Sequence, residues 1–278
     1  HQDGLLYIAA TARQEQVMSA RAAWQRRRGL RVERWSPAQV RRREPNVDRP
    51  VRGGWYFPTE AQVDNVRLMD ALGRACRASG VTVCEETAVR RLLIRKGTVQ
   101  GIETARGTVR APCVVSCLGS WASLLEAPPV TLPVVPARGQ MMAFQGPKGL
   151  FRSAVMSERA YVVQRRDGRL IVGSTIEFAG FDKSLTLDGM HGILCGLRCL
   201  SSALKRCTFL DAWTGLRPCA PDGLPIIGPT SIDGLYAATG HFRHGILLAP
   251  VTAAALTDLI VRDKVSCGLS AFSPTRFS

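Results

Sequence analysis

Residues 235–250 read Leu235-Tyr236-Ala237-Ala238-Thr239-Gly240-His241-Phe242-Arg243-His244-Gly245-Ile246-Leu247-Leu248-Ala249-Pro250. A short apolar strand, Leu235 to Ala238, runs into the turn Thr239-Gly240-His241, and a helix follows from about Ile246 to Val261. The start of such a helix presents free backbone N–H groups and the positive end of the helix dipole. That suits an anion or an electron-rich ring edge, and Arg243 adds a fixed charge. A capped, buried helix would carry the same pattern, so the stretch alone does not decide between the two. Upstream, Cys113 to Cys117 is a second short apolar run that stops at Gly119-Ser120-Trp121, a buried strand feeding a helix through a glycine turn. Two strand–glycine turn–helix units in one chain place it among mixed α and β folds.

Further out, the chain alternates strand-like and helix-like segments. Strands are expected at Leu5–Ala10, Arg31–Trp35, Gly54–Phe57, Val81–Cys84, Val89–Arg95 and Thr98–Thr104, with Lys96-Gly97 as a hairpin turn and another strand after Arg106-Gly107. Val134–Phe144, Tyr161–Thr175 and Phe209–Leu216 are also strand-rich. Helices are expected at Arg13–Arg28, from Ser36-Pro37 onward, and at Leu187–Leu204. Asp64–Ala78 is amphipathic, with Val66, Leu68, Met69, Leu72 and Cys76 at helical spacing.

The 278 residues carry 37 Lys+Arg against 22 Asp+Glu, a net charge of +15. Apolar residues make up 46%, too many for a disordered chain. The basic residues are dispersed except for Arg26-Arg27-Arg28 and Arg41-Arg42-Arg43, and no zinc-finger or aromatic-basic RNA motif accompanies them. A solvated basic face that attracts anionic ligands is expected, not specific nucleic-acid binding. The apolar stretch Ile246–Leu256 contains Pro250 and is shorter than the roughly 20 residues of a membrane helix, so no membrane span is expected. The first residues lack the basic start and apolar core of a signal peptide. The nine cysteines, Cys76, Cys84, Cys113, Cys117, Cys195, Cys199, Cys207, Cys219 and Cys267, are odd in number and contain no C-x-x-C pair. Free buried thiols in a reducing, cytoplasmic compartment are expected. His191, Cys195 and Cys199 share one helix face, read as buried and not as a metal site.

A further dense motif is Trp213-Thr214-Gly215-Leu216-Arg217-Pro218-Cys219-Ala220-Pro221-Asp222-Gly223-Leu224-Pro225-Ile226-Ile227-Gly228. Alone it reads as strand–turn–strand with a surface arginine. Followed by residues 236–250, it resembles the C-terminal half of FAD-dependent amino-acid oxidases of the D-amino acid oxidase type, most of all the glycine oxidases of the thiamine pathway. Val114 to Trp121, Pro136 to Met141, Tyr161-Val162-Val163 and Gly168 to Thr175 match the same family in the same order.

The resemblance implies an incomplete FAD/NAD(P)-binding-like α/β half together with a substrate domain of mixed, mainly antiparallel sheet flanked by helices, α+β in class. Residues 1–61 and 127–217 would form the substrate domain, 62–126 and 218–265 the remainder of the FAD half, and 266–278 a tail. It implies oxidation of glycine or another small amino acid to an imine and then a 2-oxo acid, by hydride transfer to flavin with oxygen as acceptor. Arg217, Arg243 and Tyr161 would bind the substrate carboxylate. Val89, Gly119, Trp121 and the run His241, Phe242, Arg243, His244, Gly245, Ile246 and Leu247 would lie against FAD. No acid–base residue and no metal is assigned. An arginine fork suits a carboxylate, and holding that carboxylate sets the Cα–H over the flavin. The G-x-G-x-x-G turn that holds the FAD pyrophosphate in this family does not occur in these residues, so an N-terminally shortened chain is expected. Strands near Val81–Val83 and Cys113–Cys117 would then expose edges, which a second copy or a partner supplying the segment would cover. A D-amino acid dehydrogenase or sarcosine oxidase relative, and a flavin-free binding module, are the alternatives.

Overall fold

A computed structural model describes residues 2–264 and 268–277. In chain order the elements are β1 (Leu5–Ala9), α1 (Ala12–Arg27), β2 (Glu33–Trp35), α2 (Pro37–Arg43), β3 (Gly53–Phe57), α3 (Asn65–Ala78), β4 (Val89–Arg95), β5 (Thr98–Thr104), β6 (Gly107–Arg110) and β7 (Val114–Ser116). Then come β8 (Val135–Gln145), β9 (Ala154–Met156), β10 (Tyr161–Gln164), β11 (Arg169–Gly173), α4 (Leu187–Arg198), β12 (Thr208–Cys219), β13 (Ile226–Pro229), β14 (Leu235–Thr239) and α5 (Gly245–Arg262). Short 3-10 turns include Gly119–Leu124 and Ala203–Arg206. Local chemistry starts the first helices. Thr11 with Gln14, and Ser36 with Gln39, form capping boxes, and Pro37 opens α2 where its missing N–H costs nothing.

The residues group into two compact units. The first comprises His1–Asp64, Gly139–Ile176 and Lys183–Gly215. It holds an eight-stranded sheet in the order β12-β8-β11-β10-β9-β1-β3-β2. The pairs β1–β3, β10–β11, β11–β8 and β9–β10 are antiparallel, and β1–β9 is parallel. One face buries Leu6, Ile8, Val155, Val162, Leu170 and Val172 against Ile193 and Leu197 of α4. A second cluster packs Met18 and Ala22 of α1 on Trp55 and Phe57 of β3. Glu44 is buried as well. It accepts the N–H groups of Arg152 and Ser153 and the Ser153 hydroxyl, and burial pushes its carboxyl pKa up.

The second unit comprises Asn65–Arg138, Glu177–Asp182 and Leu216–Ser278. Its two sheets have the orders β13-β14-β7 and β4-β5-β6. Strand β7 runs parallel to β14, and that leaves one side of β7 as an edge. The hairpin between β4 and β5 turns at Lys96-Gly97, both at positive φ, the backbone twist that joins right-twisted strands. Ile227 packs with Ala255 and Leu256 of α5 in one cluster.

Several expectations are corrected. Val81–Cys84 is not a strand; the segment is exposed and has no ladder partner among the described residues. Pro250 does not interrupt α5, because losing one bond near the start of the helix leaves the later turns intact. The helix therefore runs 18 residues and is long and apolar enough, by length and composition, to cross a membrane, with 17% of that window buried within the described residues. Length therefore does not exclude α5 as a membrane span. The cysteines are free but not buried: Cys76, Cys84, Cys117 and Cys199 are exposed and the other described ones half-buried, while Cys267 lies outside the described residues. His191 and Cys199 are exposed too, so the face they share with Cys195 is not a core face. No group of three metal-ligating side chains occurs among the described residues. The amphipathic helix α3 forms as expected but buries none of its residues; Val66 is 72% and Met69 65% exposed.

Candidate functional site

The two glycine-rich motifs of residues 213–228 and 236–250 meet in the second unit. Cys219, at the end of β12, forms a β-bridge with His241, and the Phe242 N–H donates to the Pro218 carbonyl at 2.8 Å. Arg217, half-buried, therefore stands one residue from the segment that leads into α5. Two hydroxyls tie this junction to the turn after β7. Thr239 Oγ1 donates to the Gly119 carbonyl at 2.9 Å, and Ser120 Oγ donates to the Leu216 carbonyl at 3.0 Å. Gly119, Ser120, Leu216, Thr239, His241 and Phe242 are thus joined in one hydrogen-bonded frame.

The frame fixes unusual backbone. Gly240 has φ +73°, and a Cβ there would press on Ile226 and Ala220 at 3.2–3.4 Å. Phe242 adopts φ +49°, a region that L-residues seldom occupy and that is held here by its bond to Pro218. The chain then enters α5 at Gly245 with His244 as N-cap, and no side chain among the described residues caps the helix. Its first amides, Gly245, Ile246 and Leu247, point their N–H groups out of the helix start.

His241 donates or accepts through Nε2 to Thr252 Oγ1 at 3.0 Å, which locks its ring onto α5. Burial lowers its pKa below the ordinary 6.5. The unfolded chain then binds a proton near pH 6.5 while the folded one stays neutral, so this group removes stability as pH falls through 6.5 toward the folded pKa. His241→Gln should lose less melting temperature than the parent protein between pH 7.5 and pH 5.5. Equal losses in thermal melts would show that the histidine does not carry the effect.

Trp121 sits in the 3-10 turn after β7 and stacks on Phe181, with ring centroids 6.0 Å apart. The segment carrying Phe181 is anchored by Arg138, which is buried and pairs with Glu177 Oε2 at 2.5 Å and Asp182 Oδ2 at 2.6 Å. Arg138 lies in the Pro136–Met141 motif, but no local pattern marks Glu177 and Asp182 as the acidic partners that a buried arginine requires. Val89 begins β4, opposite Thr104, and the hydrogen-bonded frame does not include it. Arg243 and His244 lie between the frame and α5, both exposed. Tyr161 belongs to the first unit. It begins β10 opposite Gly173, and its hydroxyl lies 3.3 Å from Met141 Sδ.

Comparison with known proteins bears directly on this geometry. The family model described as DAO, FAD dependent oxidoreductase, matches residues 1–259. The chain belongs to this family. It is 40% identical over 243 residues to the bifunctional protein ThiO/ThiG of Synechocystis sp., covering 86% of this chain and 36% of that one. It is 37% identical to the glycine oxidase of Pseudomonas putida, covering 74% of this chain and 57% of that enzyme. The glycine oxidase structure from Geobacillus kaustophilus superposes with a TM-score of 0.95 at 29% identity, covering 99% of this chain and 75% of that one. The chain thus has the glycine oxidase fold of mixed, mostly antiparallel sheets with flanking helices, and spans only part of the length of the curated relatives it matches.

Family members depend on FAD, and the second unit has features that fit a flavin. Ser116 Oγ, at the end of β7, is buried without a hydrogen-bond partner among the described residues. Gly119, three residues on, has φ +56°, and a Cβ there would meet nothing within 4 Å. An uncapped helix start, an orphaned hydroxyl and open space over a glycine backbone together suit a planar group with an electron-rich edge.

Proposed function

We propose that this chain carries the substrate-binding and flavin-ring-binding parts of an oxidase of glycine or a similarly small amino acid. Supporting this is the junction of the Arg217 strand with the His241–Phe242 segment directly before the uncapped start of α5. In this reading the second unit contributes Gly119, Trp121 and the run His241, Phe242, Arg243, His244, Gly245, Ile246 and Leu247 to the cofactor site, with Val89 at its margin. Arg217 grips the substrate carboxylate with its guanidinium fork, and Arg243 adds a second positive charge. Tyr161 offers its hydroxyl to the same carboxylate. Bound FAD supplies the two-electron acceptor for the hydride that leaves the amino-acid Cα. The chain's own groups orient the substrate. The Gly245, Ile246 and Leu247 amides place positive potential at the ring edge, and His241, neutral through burial, adds no competing charge. No side chain is assigned as acid or base, since a neutral amine needs none.

A visible absorption spectrum after addition of FAD and desalting tests this. The expected result is a retained flavin spectrum, with hydrogen peroxide formed when glycine is added under air. A blank spectrum would overturn flavin binding by this chain on its own, and the β7 edge would then be the place where a partner segment completes the cofactor site.

A further inference from the structure

Along β8, side chains alternate between the two faces of the large sheet in the first unit. Met141 points to the face that carries Tyr161, where its Sδ meets the tyrosine hydroxyl. Met142 and Phe144 point to the other face, into the core formed with α4. On that other face, between α4, β8 and the turn Ala203–Arg206, lies a cleft of about 560 Å³, partly open to solvent. It lies across the sheet from Tyr161, so it is no part of the site described above.

The lining of the cleft has two chemistries. Phe144, Leu194, Leu197 and Leu204 make it apolar. Among the described residues that line it, Arg198 and Lys205 are the basic side chains and none carries a carboxylate. Neither cation has an ion-pair partner among the described residues. Size and character fall in the range of small-molecule sites, which run from about 300 to 1,000 Å³. An apolar cleft with two unpaired cations and no acid complements a molecule that is hydrocarbon at one end and anionic at the other. We propose that this cleft binds a small amphipathic carboxylate, its hydrocarbon part against Phe144, Leu194, Leu197 and Leu204 and its carboxylate between Arg198 and Lys205.

The cleft contains its own reporter. Cys195 lines it, half-buried, with its Sγ 3.3 Å from His191 Nε2, so an occupant of the cleft shields this thiol. Cys207 also lines it, but burial pushes that thiol's pKa up and keeps it protonated and slow to react. The probe is octanoate, with octanol as its uncharged counterpart and iodoacetamide as the alkylating agent, followed by peptide mass mapping. Octanoate at about twice its dissociation constant should slow Cys195 alkylation about threefold and leave the exposed Cys76 and Cys84 unchanged. Octanol at the same concentration should protect less. The double variant Arg198→Ala/Lys205→Ala changes two exposed side chains, so its melting temperature should match the parent while octanoate protection disappears. Absence of protection, equal protection by octanol, or protection that survives in the double variant would each overturn the proposal. None of these measurements depends on flavin or turnover, so their outcome is separable from that of the oxidase assignment.

Discussion

On the proposed oxidase reading, Arg217→Met in the flavin-loaded protein should lower kcat/KM for glycine by about 10²–10⁴-fold. Each hydrogen bond from the guanidinium to a carboxylate contributes about 1.5–3 kcal/mol, and the fork makes two. Losing both, at about 1.4 kcal/mol per tenfold in rate, gives that range. Arg217 is half-buried in the strand that ends at Cys219, and the neighbouring Pro218 carbonyl is engaged by Phe242. The Cys219–His241 bridge and the Phe242–Pro218 bond are main-chain interactions, so the substitution leaves both in place. In the proposed role Arg217 would grip the carboxylate both before and during reaction, so most of the loss should appear in KM. Arg217→Lys keeps the charge without the fork and should recover part of it. Steady-state kinetics over a range of glycine concentrations decide the matter. An unchanged KM in Arg217→Met would remove this residue from the substrate site and leave Arg243 as the candidate.

Trp55→Ala should be the most damaging single change to folding, destabilising the first unit by about 3–5 kcal/mol. Trp55 lies in β3, between β1 and β2, and is 1% exposed. Its ring packs under Met18 and Ala22 of α1 and beside Ala9, Val32 and Phe57. The Arg34 guanidinium lies over its other face, 4.3 Å from the centroid, and itself pairs with Glu15 on α1 at 2.7 Å. One indole therefore joins helix, sheet and ion pair. Domains are stable by only about 5–15 kcal/mol, so the loss is a large share of the whole. A melt should show a fall on the order of 10 °C, and Trp55→Phe a smaller one, because the phenyl ring fills much of the space. A fall below about 2 °C would mean that α1 is not held through this ring.

Much of this was legible from local pattern. The capping residues Thr11 and Ser36, the hairpin at Lys96-Gly97, and the strand–glycine–helix runs at 113–121 and 235–250 all lie within a few residues of the structure they specify. The order of the family motifs was likewise readable, and the family match over residues 1–259 agrees with it. Other elements were hidden. β9 is three residues long, too short to show a period, and β13 lies inside a run rich in proline and glycine. Val81–Cys84 has the composition of a strand but no neighbouring strand among the described residues, and a strand exists only by pairing.

Side-chain periodicity determines that 65–78 is an amphipathic helix, yet it does not say which face is covered; α3 turns its Val66, Met69 and Leu72 outward. The same distinction runs through the candidate site. The residues themselves determined the turn chemistry, the helix start and the presence of an arginine fork, because propensity and capping act over one to four positions. Only the tertiary structure decided that Thr239 would reach Gly119, 120 residues away, and that Ser120 would reach Leu216, 96 residues away. It also decided that Arg138 would meet Glu177 and Asp182, and that His241 would be half-buried with its pKa lowered. Hydrogen bonds and burial depend on which distant segments come to share a neighbourhood, and no pattern within either segment records that.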